Sequence, residues 1–109
     1  MAVISTPAER RQLVTQLPEL RADDSVRIQR FLDAIWAENG LARATLDSYR
    51  RDLEGLARWM DGREGGLAGI ERPGLFDYLA WRTRHGWSPR SNARLLSALR
   101  AFFADGLRR

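Results

Sequence analysis

Four stretches of this chain carry apolar residues at steps of three and four, a period that suits helices and excludes half-buried strands. The cleanest run is Leu46, Tyr49, Leu53, Leu56 and Met60, which predicts a helix from Thr45, a residue able to cap it, to about Asp61. Ahead of it, Ile28, Phe31, Leu32, Ile35 and Trp36 form the stripe of a helix that starts after Ser25 as N-cap and stops at Gly40. Pro73 suits the first turn of a third helix, with Leu75, Phe76, Leu79 and Ala80 facing in and an end near His85 and Gly86. Ser88 and Pro89 open a fourth, in which Leu95, Leu96, Leu99, Phe102 and Phe103 share one arc up to about Asp105. The expected fold class is all-α: a four-helix bundle of two αα-hairpins, separated by the glycine-rich connection "DGREGGLAGIERPG".

Residues 1–24 read as a separate N-terminal extension. Pro7 and Pro18 interrupt it, and only Leu13, Val14, Leu17 and Leu20 could dock. We expect it to be mobile, with room for a short helical turn around Glu9 to Gln16. Residues 25–109 then form one small domain.

The 109 residues contain no cysteine, so disulfides and thiolate chemistry are excluded. No apolar run reaches the length of a membrane span, and the start turns charged too soon for a signal peptide. A cytoplasmic domain without a membrane partner is the expectation. The net charge is +4, and all 18 basic residues are arginine. Codon bias would account for the missing lysine; so would a need for arginine's planar fork at phosphates and guanine edges. The distribution is more telling. Five arginines and one aspartate lie between Ser88 and Arg109, so this last segment holds the whole positive excess. Concentrated positive charge suits nucleic acid, although an acidic protein or lipid surface could also use it.

Catalytic signatures are missing. The glycine-rich connection has no Gly-Lys-Ser/Thr and is no phosphate-binding loop. His85 is the single histidine, in the polar turn "RTRHGW", where capping helix carbonyls suits it better than general-base work. One histidine, no cysteine and scattered carboxylates make no metal site, and no cofactor is expected. Trp36 and Trp59 read as core. Trp81 is either partly exposed or meets another element, and Trp87 lies in the turn before the fourth helix.

Two helices keep an unusual back. On the fourth, Arg90, Arg94, Ser97 and Ala101 lie opposite the apolar arc, with Arg100 flanking. On the second, the arc facing away from the stripe holds Asp47, Ser48, Arg51, Gly55 and Arg58. Ser48, Gly55, Ser97 and Ala101 would keep these backs slim, allowing close approach to a groove wall while arginine reaches phosphates or bases. A solvated face is the plain alternative.

At these two helices the chain resembles a known family. Phe31-Leu32, the run Leu41-x-x-x-Thr45-x-x-x-Tyr49-x-x-Asp52-Leu53, and Ser91-x-x-Arg94-x-Leu96-Ser97-Ala98-Leu99-Arg100-x-Phe102-Phe103 look like the N-terminal core-binding domain of tyrosine recombinases and phage-type integrases. Within that family the likeness is greatest to the recombinases that resolve bacterial chromosome dimers. It covers about Val26 to Arg109. The resemblance implies a SAM-like four-helix bundle that forms one half of a clamp around duplex DNA, its second and fourth helices crossing the major groove of a recombination half-site. Mapped onto this chain, the implied DNA-facing residues are Arg43, Thr45, Ser48, Arg51, Arg90, Ser91, Arg94, Ser97 and Arg100, with Arg94 central.

The implied partners are duplex DNA, the chain's own C-terminal catalytic domain and neighbouring recombinase protomers in the synapse. The family's catalytic Arg, Lys, His and nucleophilic Tyr would follow Arg109, so no catalytic residue is expected here; neither Tyr49 nor Tyr78 matches the nucleophile's place. The residue pattern also admits a helical interaction module with an acidic protein partner and, less well, a helix-turn-helix regulator.

Overall fold

The computed structural model describes residues 6–61 and 66–107; residues 1–5 of the arm, 62–65 of the glycine-rich connection and the basic tail 108–109 lie outside them. Among the described residues every regular element is helical: α1 (Pro7–Thr15), α2 (Ala22–Asn39), α3 (Arg43–Asp61), a 3-10 turn (Leu67–Gly69), α4 (Arg72–Arg84) and α5 (Pro89–Leu107). The four expected helices are α2 to α5, and the arm supplies a fifth. No helix among the described residues is long and apolar enough to cross a membrane.

The core is built where α2, α3 and α5 meet. Ile28, Phe31, Leu32 and Ile35 of α2 pack with Leu53, Leu56, Ala57 and Met60 of α3 and with Leu95, Ala98 and Leu99 of α5. The Phe31 and Phe102 rings meet edge to face at 5.4 Å, a favourable quadrupole arrangement that ties α2 to α5. Gly40 ends α2 in the left-handed conformation (φ 60°, ψ 35°), and its N–H bonds the Trp36 carbonyl at 3.0 Å. That is the stop expected from the sequence. Ser88 opens α5 as expected, its Oγ accepting the Ser91 N–H at 3.1 Å.

Several starts and faces differ from the sequence reading. Helix α2 begins at Ala22, one turn before Ser25, because Asp23 and Asp24 suit the positive end of the helix dipole and Asp24 itself has a structural role. Helix α3 begins at Arg43, so Thr45 lies inside its first turn and does not cap it. Trp36 is 62% exposed, not core. At 100° per residue Trp36 falls about 40° beyond Leu32, past the edge of the buried stripe.

Helix α4 is rotated from its expected face. Gly74, Tyr78 and Arg82 are buried, Leu75 and Leu79 flank them, and Phe76 and Ala80 point outward. The reason lies in α3, where Asp52 and the small Gly55 attract and admit this polar-aromatic row. In α5 the buried stripe includes Ala98, while Phe103 is exposed and Ala101 is half-buried against the core.

The arm contributes structure as well. Thr6 and Glu9 form a reciprocal capping box, with Thr6 Oγ accepting from Glu9 N at 3.1 Å and Glu9 accepting from Thr6 N at 3.2 Å. Helix α1 contains no buried residue. Leu17 and Leu20, after it, pack against the core.

The turn leading into α4 is secured by Asp24. This carboxylate is 1% exposed; its Oδ1 accepts the Leu67 N–H at 3.2 Å, and its Oδ2 has no hydrogen-bond partner among the described residues. Burial raises its pKa above the usual carboxylate value, the Leu67 N–H opposing and the Asp23 charge assisting. A raised folded-state value means that the protonated carboxyl stabilises the fold below the unfolded value of 3.8, a contribution lost as pH rises through the folded value. Asp24→Asn should therefore gain stability relative to the parent as pH rises from 3 to about 7, read by urea unfolding at a series of pH values. Gly66 has φ 82°, and a Cβ there would meet Asp24 Oδ2. Gly66→Ala should lower unfolding free energy by about 1–3 kcal/mol in the same assay.

Candidate nucleic-acid interface

Helices α3 and α5 meet along a seam closed by one carboxylate. Asp52 of α3 is 6% exposed. Arg94 of α5 grips it with two parallel hydrogen bonds, Nε to Oδ2 at 2.8 Å and Nη2 to Oδ1 at 3.0 Å. This fork geometry is the strong form of an arginine–carboxylate pair. The bonds to Asp52 raise the Arg94 pKa above its ordinary value, so its positive charge is secure. From α4, Arg82 brings Nη1 to 3.9 Å from Oδ1 of the same carboxylate, and its side chain is almost wholly buried. The Arg82 guanidinium lies over the rings of Tyr78 (5.7 Å) and Trp87 (5.5 Å).

Aromatic contacts continue around this centre. Tyr78 packs against Trp59 at 5.3 Å and stacks on Trp81 at 5.8 Å, and Trp81 meets Trp87 at 5.4 Å. Burial pushes the Tyr78 hydroxyl up to about 12, leaving it a neutral phenol. Trp81 is thus half-buried, packed against the core and the turn after α4, so it falls between the two options left open by the sequence. His85 is the C-cap of α4: its backbone N–H bonds the Trp81 and Arg82 carbonyls at 3.2 and 3.1 Å, and its ring rests against Trp81. Gly55, expected to slim the outer face of α3, instead makes room for α4, since a Cβ there would lie 3.0 Å from Tyr78 Oη.

The outer arcs of α3 and α5 begin at this seam. Ser48 and Arg51 follow on α3; Arg90 and Ser97 follow on α5. Arg51 and Arg90 are exposed and have no ion pair or side-chain hydrogen bond among the described residues. Thr45 is half-buried at the seam side of α3, and Ser91 is half-buried with its hydroxyl 3.1 Å from Ser88 Oγ. Two expected positions lie apart. Arg43 borders a depression with Gln29, Trp36 and Arg50 on the α2 side of α3. Arg100 is exposed but about 120° round α5 from Arg94 at 100° per residue. The Asp52–Arg82 contact escaped the sequence reading. The place of Asp52, about 40° round the helix from Leu56 at the edge of the apolar arc, was the available signal.

Residues 28–109 match the family model described as "Phage integrase, N-terminal SAM-like domain". The chain belongs to that family. It is 67% identical over 108 residues to a protein named tyrosine recombinase XerD from Xanthomonas campestris pv. campestris, covering 95% of this chain and 33% of the relative. A XerD of Xanthomonas axonopodis pv. citri is 70% identical over 87 residues, 80% of this chain and 28% of the relative. A XerD of Pseudomonas aeruginosa is 51% identical over 81 residues, 74% of this chain and 27% of the relative. The chain therefore spans about a third of the length of these relatives and corresponds to the N-terminal domain of a XerD-like tyrosine recombinase. No solved structure matches it.

Within this integrase-type domain the seam should have a measurable order of importance. Asp52→Ala leaves Arg82 buried without its counter-charge and should cost about 3 kcal/mol in urea unfolding. Arg94→Ala leaves Asp52 facing Arg82 and removes a guanidinium that is 43% exposed in its side chain, so it should cost less. The reverse order would contradict the central place given to Asp52.

Proposed function

We propose that this chain binds duplex DNA at a recombination half-site, as the core-binding part of a XerD-type tyrosine recombinase. One observation carries the reading. Exposed Arg51 and Arg90, without an ion pair or side-chain hydrogen bond among the described residues, stand on the two helices that the Asp52–Arg94 pair fixes together and that also carry the small Ser48 and Ser97. A cationic surface on two helices fixed relative to each other suits the phosphate backbone along a groove edge.

In this reading Arg51 and Arg90 contact phosphates. Asp52 orients Arg94, whose Nη1 stays outside the two bonds to the carboxylate and can reach the nucleic acid. Ser48 and Ser97 let the helices approach closely. Thr45, Ser91, Arg43 and Arg100 are peripheral contacts reached only where the duplex curves past the seam. The substrate would be a dif-type site, and the wider setting chromosome dimer resolution with partner protomers of the XerC kind. Cutting and rejoining would fall to a catalytic domain joined to this one in the whole recombinase.

Mobility-shift titration of Arg51→Ala and Arg90→Ala against a dif-type half-site and a scrambled duplex tests the assignment. Each variant should weaken binding to both duplexes and lower the salt slope by about one unit. Unchanged binding in both would remove this surface from contention. Indifference of the parent chain to DNA at low salt would favour an acidic protein partner instead.

A further inference from the structure

We infer that α1 is a displaceable strap walling one side of the proposed DNA surface, and that it must swing away before a duplex can seat on Arg51 and Arg94. The inference rests on the DNA-binding reading above and adds a regulatory element to it. Helix α1 forms one wall of a groove of about 1020 Å³, lined by its Arg10, Arg11 and Val14 together with Arg51 and Arg58 of α3 and Arg94 of α5. An α-helix with its side chains is about 10–12 Å across, comparable with the roughly 12 Å of a major groove. A third helix of that width, walling the groove that Arg51 and Arg94 line, stands in the approach of a duplex to the α3–α5 seam.

The attachment of α1 suits a moving part. The helix buries no residue, and its capping box lets it keep its own N-terminus wherever it lies. Its base is anchored: Arg58 Nε donates to the Pro18 carbonyl at 2.7 Å and Nη2 to the Leu17 carbonyl at 3.1 Å. The non-helical stretch between Thr15 and Ala22, fixed at this point, is the hinge. The far contact is made through Arg10. Arg10 reaches the Gly86 carbonyl at 3.5 Å and lies over the Trp87 ring at 5.7 Å. This is the latch.

Electrostatics favour a strap over an arm that grips DNA. Residues 6–20 contain two arginines, Arg10 and Arg11, and two glutamates, Glu9 and Glu19. That balance supplies no net attraction to phosphate. Undocking α1 removes one wall of the groove that exposed Arg51 and Arg94 line, while leaving the core of α2, α3 and α5 intact.

Arg10→Ala gives a test of opposite sign to ordinary charge loss. Removing a cation that touches DNA weakens binding, whereas releasing the latch should tighten it. In fluorescence-anisotropy titrations with a half-site duplex, Arg10→Ala and a deletion of residues 1–16 should each lower Kd. A drop of about fivefold or more corresponds to a displaced population of about one fifth or less in the parent chain. Arg11→Ala, with the same charge loss and the latch retained, should show no tightening. Thermal melts followed by circular dichroism verify that each variant is folded. Weaker binding by the Arg10 variant and the deletion would make α1 a gripping arm, and unchanged binding would make it a bystander; either result overturns the strap. If parent and variants alike ignore duplex DNA at low salt, the DNA-binding reading fails and the strap with it.

Discussion

A single buried carboxylate organises this domain. Asp52 is buried at the edge of the apolar arc of α3, and a lone charge there would be costly to remove from water. Its two partners resolve that cost from different directions. Arg94 closes the α3–α5 seam with a bidentate pair, and Arg82 brings in α4. Burying the same volume with apolar groups could stabilise the bundle equally well. What an ionic centre adds is geometry: an arginine fork fits a carboxylate in one plane, whereas aliphatic side chains can slide.

That geometry has a consequence for the surface. The orientation of α5 relative to α3 decides whether Arg51 and Arg90 project from one side or two. With Arg94 held to Asp52, both outer arcs start from the same seam, and Nη1 of the Arg94 guanidinium is left outside the pair. The same residue thus serves the packing of the bundle and the proposed contact with DNA. Around it, the aromatic cluster of Tyr78, Trp81 and Trp87 covers Arg82 and supports the α4–α5 turn, where Arg10 reaches back from the arm. The arm therefore touches the surface at the turn whose rings also hold the ionic centre in place.

The helices themselves were readable from periodicity, because an amphipathic stripe records which side a helix must bury. Leu53, Leu56 and Met60 are fully buried, as their spacing implies, and Gly40 and Ser88 terminate and start helices for local reasons. Helix α4 was legible as a helix but not in its orientation. Its buried row is Gly74, Tyr78 and Arg82, and only the position of Asp52 makes an arginine a better inward residue than Phe76. The proposed surface was half legible. Arginines on the backs of α3 and α5 stood out in the sequence, but a helical projection cannot show that Arg94 is engaged, that Gly55 faces Tyr78, or that Arg43 lies on the other side of α3.

By itself the sequence determined four amphipathic helices, their order, the break between the two hairpins and the concentration of positive charge on the last segment, since each depends on residues near one another along the chain. The family likeness was legible there too, carried by motifs on α3 and α5. Tertiary structure alone decided which charges are left over for a partner. An arginine's availability depends on whether a carboxylate remote in sequence lies within its reach, and Asp52 and Arg94 stand 42 residues apart. It also decided where α1 comes to rest, because the contacts of α1 and the segment after it join Arg10 to Gly86 and Arg58 to Leu17 and Pro18, pairs that no local pattern connects.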